Sequence, residues 1–290
     1  MFGEQLVNGL ALGSIYALTA IGFTMVYGII RLINFAHGDI FMIGAFFALS
    51  SVTLFNAPLI VAFLVGMAGA SIVGILLSRL AYKPLFDAPR INLFLAAIGA
   101  AILFENFAML VWGPQTNTFP VLIDMHNYSI LGLKFTTLQV IILVCTIIFM
   151  ILLHLLVNKT KVGIAMRCTA QDMNTARLMG INTDRMVYVT FAIGSSLGAA
   201  AGILVGMYYQ AVYPMMGFMT GLKAFVAAVL GGIGSIPGAM LGGLVLGISE
   251  SLGAAYISSG FRDGIAFIIL ILILLIKPSG ILGKVTQEKV

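Results

Sequence analysis

Residues 5–30, QLVNGLALGSIYALTAIGFTMVYGII, carry no charged side chain. A hydrocarbon core about 30 Å thick takes about 20 apolar residues of helix to cross, so this stretch is long enough to span a membrane. The same signature recurs outward along the chain. Uncharged or nearly uncharged segments run over Ile40–Phe55, Leu59–Ser78, Ile91–Trp112, Leu138–Val157, a stretch ending near Tyr213, and the aliphatic run Ile265–Ile276. Between Pro214 and Tyr256 glycine and proline punctuate the sequence. That region holds either two crossings or one crossing and a re-entrant half-helix. The expected fold is an all-α, polytopic membrane domain over 1–290, with about eight to nine membrane segments.

Composition agrees. Hydrophobic residues make up 61% of the 290 residues and charged residues 9%, against about 25% charged in a soluble domain. A water-soluble globule lacks the charges to cover its surface, and disorder is excluded by the same figures. The net charge of +5 comes from 15 Lys and Arg against 10 Asp and Glu. The basic residues sit in the 79–90 loop (Arg79, Lys83 and Arg90, with Asp87), in the 158–188 loop, and in a tail with Lys277, Lys284 and Lys289. The positive-inside rule makes these cytoplasmic and puts the N-terminus and the 113–137 loop outside. The excess is topology, not nucleic-acid affinity. No Lys or Arg precedes Arg31, so the start does not read as a cleaved signal peptide. Cys145 and Cys168 suggest neither a disulfide framework nor a metal site.

Small residues recur every four positions at Gly194, Gly198, Gly202 and Gly206, at Gly234, Gly238 and Gly242, and more weakly at Gly66, Ala70, Gly74 and Ser78. Such ridges let helix backbones approach closely in lipid. Close packing inside one subunit is the expected use, a pore lining the alternative.

Lipid does not require the 158–188 loop. Within it Thr169-Ala170-Gln171-Asp172 fits a capping box, with the Thr169 hydroxyl accepting from the Asp172 amide. Gly180 stands where a helix ends in a left-handed residue. The expectation is a helix over Ala170–Met179, about 15 Å long, with Met166 or Ala170, Met173, and Ala176 or Arg177 on one face. It either docks into another protein's groove or lies in the lipid interface.

Charged groups at membrane depth usually face a cavity or a partner. Glu105 with Asn106 either lines a polar path or locks helices together. Glu250 reads rather as a lock. Asn34-Phe35-Ala36-His37-Gly38-Asp39 interrupts the apolar pattern with a helix breaker and side chains that compete for backbone bonds. At depth it is a broken helix whose freed backbone meets a polar solute. At the surface it is a tight turn. His37 has no second His or Cys at ligand spacing, so no metal is expected. The nearest approach to a phosphate-binding loop, Gly283-Lys284, has Val285 where Ser or Thr belongs. No catalytic set and no cofactor site is visible.

Three separated stretches carry a resemblance. Asn8-Gly9-Leu10 through Ala17-Leu18, Ala20 through Gly28 and Ile33 through Asp39 form the first. Gly163 through Met166, Arg167, Thr169 through Asp172, Ala176 and Leu178 through Asn182 form the second. Leu230 through Ala239 forms the third. Together they resemble the branched-chain amino-acid ABC transporter permeases of the LivH type. The resemblance implies a bacterial inner-membrane subunit forming half of a pore. A second homologous permease would complete the pore, two cytoplasmic ATPases would drive it, and a periplasmic binding protein would deliver leucine, isoleucine or valine. It implies that Arg167, Thr169, Ala170, Asp172, Met173, Ala176, Arg177 and Gly180 couple the chain to an ATPase. It raises the reading of Asn34, His37, Gly38 and Asp39 along the path to equal standing with the turn, and Glu105 and Asn106 are the further path candidates, from their polarity at membrane depth. Urea and short-amide permeases share these motifs. From the residues alone, an ion-coupled secondary transporter using Glu105 stays open, as does a non-transporting membrane scaffold.

Overall fold

A computed structural model describes residues 2–86, 88–120, 123–130 and 133–283. Asp87, Lys284 and Lys289 lie outside the described residues. The chain order is α1 (Phe2–Ile30), α2 (His37–Phe55), α3 (Leu59–Leu77), α4 (Arg90–Trp112), β1 (Asn117–Thr118), β2 (Asn127–Ile130), β3 (Leu133–Thr136), α5 (Thr137–Lys159), α6 (Lys161–Gln171), α7 (Met173–Leu178), α8 (Thr183–Tyr209), β4 (Ala211–Val212), α9 (Met216–Gly231), α10 (Ile236–Tyr256) and α11 (Arg262–Ile276). Among the described residues eight helices are long and apolar enough to cross a membrane. The protein is a polytopic α-helical membrane protein.

The Pro214–Tyr256 region resolves into one helix of spanning length, α10, preceded by the shorter α9 of 16 residues. The polar 113–137 region contains strand pairings that the sequence pattern did not signal. β2 pairs antiparallel with β3, and β1 pairs with β4.

The most buried helix is α1, whereas α4, α5 and α11 present most of their side chains outward. Glycines set the approach distances. A Cβ added at Gly9 or Gly13 would meet the α10 backbone at 2.7 and 2.8 Å. The α8 ridge packs inside the subunit. Gly194 lies on Gly22, Gly198 beside His37, Gly202 on Phe41, and Gly206 against Phe119 and Val212. This is the close-packing use of the ridge rather than a pore lining. Gly234 does not belong to a ridge: it precedes α10 with a φ of +91°, because Ser235 caps α10 by accepting from the Gly238 amide.

The Asn34–Asp39 segment is not a surface turn. Asn34, His37 and Asp39 are buried. His37 lies beside Gly22 of α1 and Gly198 of α8. Gly22 is eight residues inside the Ile30 end of α1, about 12 Å of helix. The chain leaves α1 at Arg31, in the left-handed region at φ 50°, and turns back into the interior. Only there does α2 begin.

Candidate functional site

A cavity of about 390 Å³ lies between the start of α2, α4 and α9. Asn34, Gly38 and Glu105 line it, with an aromatic wall from Phe23, Phe35, Phe94, Phe218 and Phe225. Asn34 is held by the buried Tyr82, whose hydroxyl donates to Asn34 Oδ1 at 2.9 Å. Its Nδ2 has no hydrogen-bond partner among the described residues. A larger cavity of about 580 Å³ between α2, α3 and α4 is lined by apolar residues and glycine alone. It has no side chain to orient a polar solute.

The other path residues lie elsewhere. His37 is enclosed by α1 and α8, with its ring 6.0 Å from that of Phe23. Asp39 is buried in the first turn of α2. Asn106 is exposed and bonds back to its own helix at the Ile102 carbonyl, 2.8 Å away. Of the six, Asn34, Gly38 and Glu105 share the cavity.

Gly38 admits no side chain. A Cβ there would lie 2.2 Å from the Gly217 carbonyl oxygen, and one at Gly217 would lie 2.3 Å from that of Gly38. The starts of α2 and α9 therefore cross in backbone contact beside the cavity.

The 158–188 loop differs from its expected form. Thr160, not Thr169, starts the first helix, by accepting from the Gly163 amide. By Thr169 the chain has been helical for two turns. That side chain is buried and donates to the Ala165 carbonyl at 2.8 Å, so there is no capping box at Thr169. The expected single helix over Ala170–Met179 is two helices, broken at Asp172, whose backbone is extended. Asp172 caps α7 by accepting from the Thr175 amide at 2.7 Å. That bond holds its carboxyl below the usual carboxylate range. Gly180 is left-handed at φ 81° as expected, and the Ile181 and Gly180 amides bond back to Ala176 and Arg177.

The face expected to dock turns inward in part. Met166 and Ala176 are buried, and Met173 and Ala170 are half-buried against the core. Leu178 and Met179 are instead 87% and 78% exposed. Their apolar character in a basic loop was the signal. Arg167 donates to the Val157 carbonyl and lies 3.3 Å from Asn158 Oδ1. Arg177 donates from Nε to Thr183 Oγ1 at 2.8 Å and lies 3.4 Å from Asp184, which also holds Lys83 at 2.7 Å. Both arginines thus fasten the loop to its own subunit.

On the face away from this loop a second polar group sits between α1, α9, α10 and α11. Lys223 Nζ is 2.7 Å from both Glu250 Oε1 and Asp263 Oδ1, and Arg262 Nε is 3.6 Å from Glu250. Glu250 is a helix lock, as its apolar surroundings predict. Its partner Lys223 was hidden by the hydrophobic run around it. Among the described residues no cluster of His, Cys, Asp or Glu could hold a metal.

Residues 5–274 match the family described as branched-chain amino acid transport system / permease component. The chain belongs to this family. It is 43% identical over 306 residues to the high-affinity branched-chain amino acid transport system permease protein LivH of Escherichia coli (strain K12), covering 100% of this chain and 98% of that protein. It is also 43% identical to the corresponding permease protein BraD of Pseudomonas aeruginosa, covering 99% and 97% of the two. Family and relatives are transport permeases, not enzymes. Among solved structures, PsaBC from Streptococcus pneumoniae in complex with Fab has a TM-score of 0.53 at 10% identity, covering 95% of this chain and 91% of that one. That likeness concerns the fold alone.

Proposed function

We propose that this chain is the membrane-spanning subunit of an ATP-driven importer of leucine, isoleucine and valine in the bacterial inner membrane. It forms half of the pathway and works with a second permease, two cytoplasmic ATPases and a periplasmic binding protein. The observation that carries the reading is the cavity between α2, α4 and α9. A branched-chain amino acid has a carboxylate, an ammonium and an apolar branch. The free Asn34 amide, at the approach to the N-terminus of α2, offers a donor to the carboxylate. Glu105 offers an acceptor to the ammonium. The phenylalanines give the branch an apolar wall. The sparsely buried α4 beside the cavity is the face on which a second permease completes the path. The exposed Leu178–Met179 tip, presented by the Asp172-capped α7, is the apolar plug for an ATPase groove.

The test is gentle detergent purification of the tagged chain from its native membrane, with co-purifying proteins identified by mass spectrometry. Two ATPases and a second permease are the expected companions. Leucine uptake by the reconstituted complex should need ATP and the binding protein. Urea or short-amide uptake in place of leucine would change the substrate. Gradient-driven flux by the chain alone would replace the reading with a secondary transporter.

A further inference from the structure

A polar chain runs from the α6–α7 loop to the turn that holds Asn34, and a second contact of that loop lies three residues before Asn34 in sequence. The first begins at Arg177 of α7, passes through Asp184 at the start of α8 and reaches Lys83, with separations of 3.4 and 2.7 Å. Lys83 follows Tyr82 directly, and the Tyr82 hydroxyl holds Asn34 at 2.9 Å. The second is at the carbonyl end of α6, where Arg31 Nη2 lies 3.5 Å from the Gln171 oxygen. Arg31 is a non-glycine residue at φ 50° and stands three positions before Asn34. Left-handed non-glycine residues persist where surroundings over-determine them.

The local structure around Tyr82 is also unusual. Ser78–Tyr82 forms a single π-helical turn at the end of α3, followed by a 3₁₀ turn over Lys83–Leu85. Single π turns concentrate at functional positions. Here the turn sends Tyr82, the largest fully buried side chain among the described residues, toward Asn34, packed on the Phe191 ring at 5.4 Å. The half-exposed Lys83–Asp184 pair adds little to stability. What it does is tie the register of that turn to α7 and α8.

From this geometry we propose that Tyr82 is a positioning residue for transport. It links the ATPase-facing loop, through Lys83, Asp184 and Arg177, to the orientation of the Asn34 amide in the cavity. A shift of α7 pulls on the 78–85 turn, the Tyr82 hydroxyl moves with it, and Asn34 Nδ2 swings relative to the solute. This rests on the cavity being the solute path, and it names the connection that makes loop and cavity act together.

The test is Tyr82→Phe in the complete reconstituted complex, measuring leucine taken up per ATP hydrolysed. The substitution removes one hydroxyl and keeps the ring on Phe191. The expected result is an ATPase still stimulated by the loaded binding protein, with leucine carried per ATP lowered about tenfold, the factor that one hydrogen bond corresponds to. A merely structural tyrosine would lower both rates together or neither, and an unchanged ratio overturns the proposal. Lys83→Met and Asp184→Asn, singly and combined, give an independent reading, because both cut the same chain at its shared carboxylate. Each single change should lower the ratio, and the double variant should lower it no further than Asp184→Asn alone. Single losses that simply multiply in the double variant, or an unchanged ratio in both singles, also overturn the proposal. If the wild-type complex hydrolyses ATP but carries no leucine, the substrate reading fails instead. The same ratio is then measured with urea as the carried solute.

Discussion

Removing the Lys223 ammonium is the sharpest test of what holds α9 in place. Lys223→Met keeps the length of the stem and deletes the charge that stands 2.7 Å from both Glu250 and Asp263. Glu250 is fully buried, and among the described residues its Oε2 has no hydrogen-bond partner. Breaking a buried pair from one side costs about 3–5 kcal/mol, because it strands the other charge. Arg262 stays 3.6 Å from Glu250 Oε1 and softens the loss, so the lower end, about 3 kcal/mol, is expected. Asp263 is half exposed and adds little. Replacing both partners, Lys223→Met with Glu250→Leu, leaves no stranded anion and should recover most of the loss. The assay is an SDS unfolding titration of the purified chain in mixed micelles, followed by circular dichroism, for the wild type, both single variants and the double variant. A Lys223→Met cost below about 1 kcal/mol would refute the reasoning. So would single-variant costs that simply add in the double variant, since residues in contact should couple.

Gly38→Ala should abolish uptake and destabilise the chain by several kcal/mol, because its Cβ would sit 2.2 Å from a carbonyl oxygen of α9 that cannot move aside. Gly28→Ala meets nothing within 4 Å and should leave uptake and melting temperature unchanged in the same assays. Asp172→Ala with Arg167→Ala should abolish uptake while leaving the amount of protein in the membrane unchanged, read by immunoblot of membrane fractions. The Asp172 carboxyl is held below the usual range by the Thr175 amide, so its cap on α7 is in place above the ordinary carboxylate range. It is lost as pH falls through the lowered folded value. The protection of the Thr175 amide, its exchange rate relative to the intrinsic rate at the same pH, should fall on that acid side and hold on the alkaline side.

The fold was legible because a bilayer imposes one requirement above others. Backbone groups must bond within the segment, so residues such as 5–30 and Ile265–Ile276 have no alternative to helix. The α8 glycine ridge was legible because spacing fixes which positions share a helix face, whereas Gly234 kept the spacing but fell before the start of α10. The loop was less so. Thr169 and Asp172 satisfy the pattern of a helix start, but Thr160 satisfies a simpler cap nine residues earlier, and a helix already running takes precedence over a second nucleus. Asp172 then caps α7 instead of closing a box with Thr169. In the site, the chain break at Asn34–Asp39 could be read from Gly38 and its polar neighbours, but its depth could not. Depth is set by Gly22 and Gly198, which leave room for the His37 ring between α1 and α8. Asn106 illustrates the reverse. It is adjacent to Glu105 in sequence, and one residue along a helix turns a side chain by about 100°, out of the cavity.

The short α9 ties the two polar centres together. Met216, Met219, Thr220 and Lys223 fall on one side of it and line a cavity of about 270 Å³ beside the Glu250 and Asp263 cluster. Phe218, Gly221, Leu222 and Phe225 fall on the other side and line the cavity that holds Asn34 and Glu105. Both sets follow the i, i+3, i+4, i+7 spacing of a single helix face. The helix is therefore a wall with an ionic anchor on one side and an aromatic surface on the other. Its 16 residues make it about 24 Å long, short of the hydrophobic thickness, so lipid alone does not fix its position along the membrane normal. Protein contacts do, among them Gly217 on Gly38 at its start, Lys223 on Glu250 and Asp263 in the middle, and Gly231 on Gly238 at its end. That is the physical reason for a lysine inside an otherwise apolar run. The charge sets the register of the helix that carries the aromatic wall of the cavity.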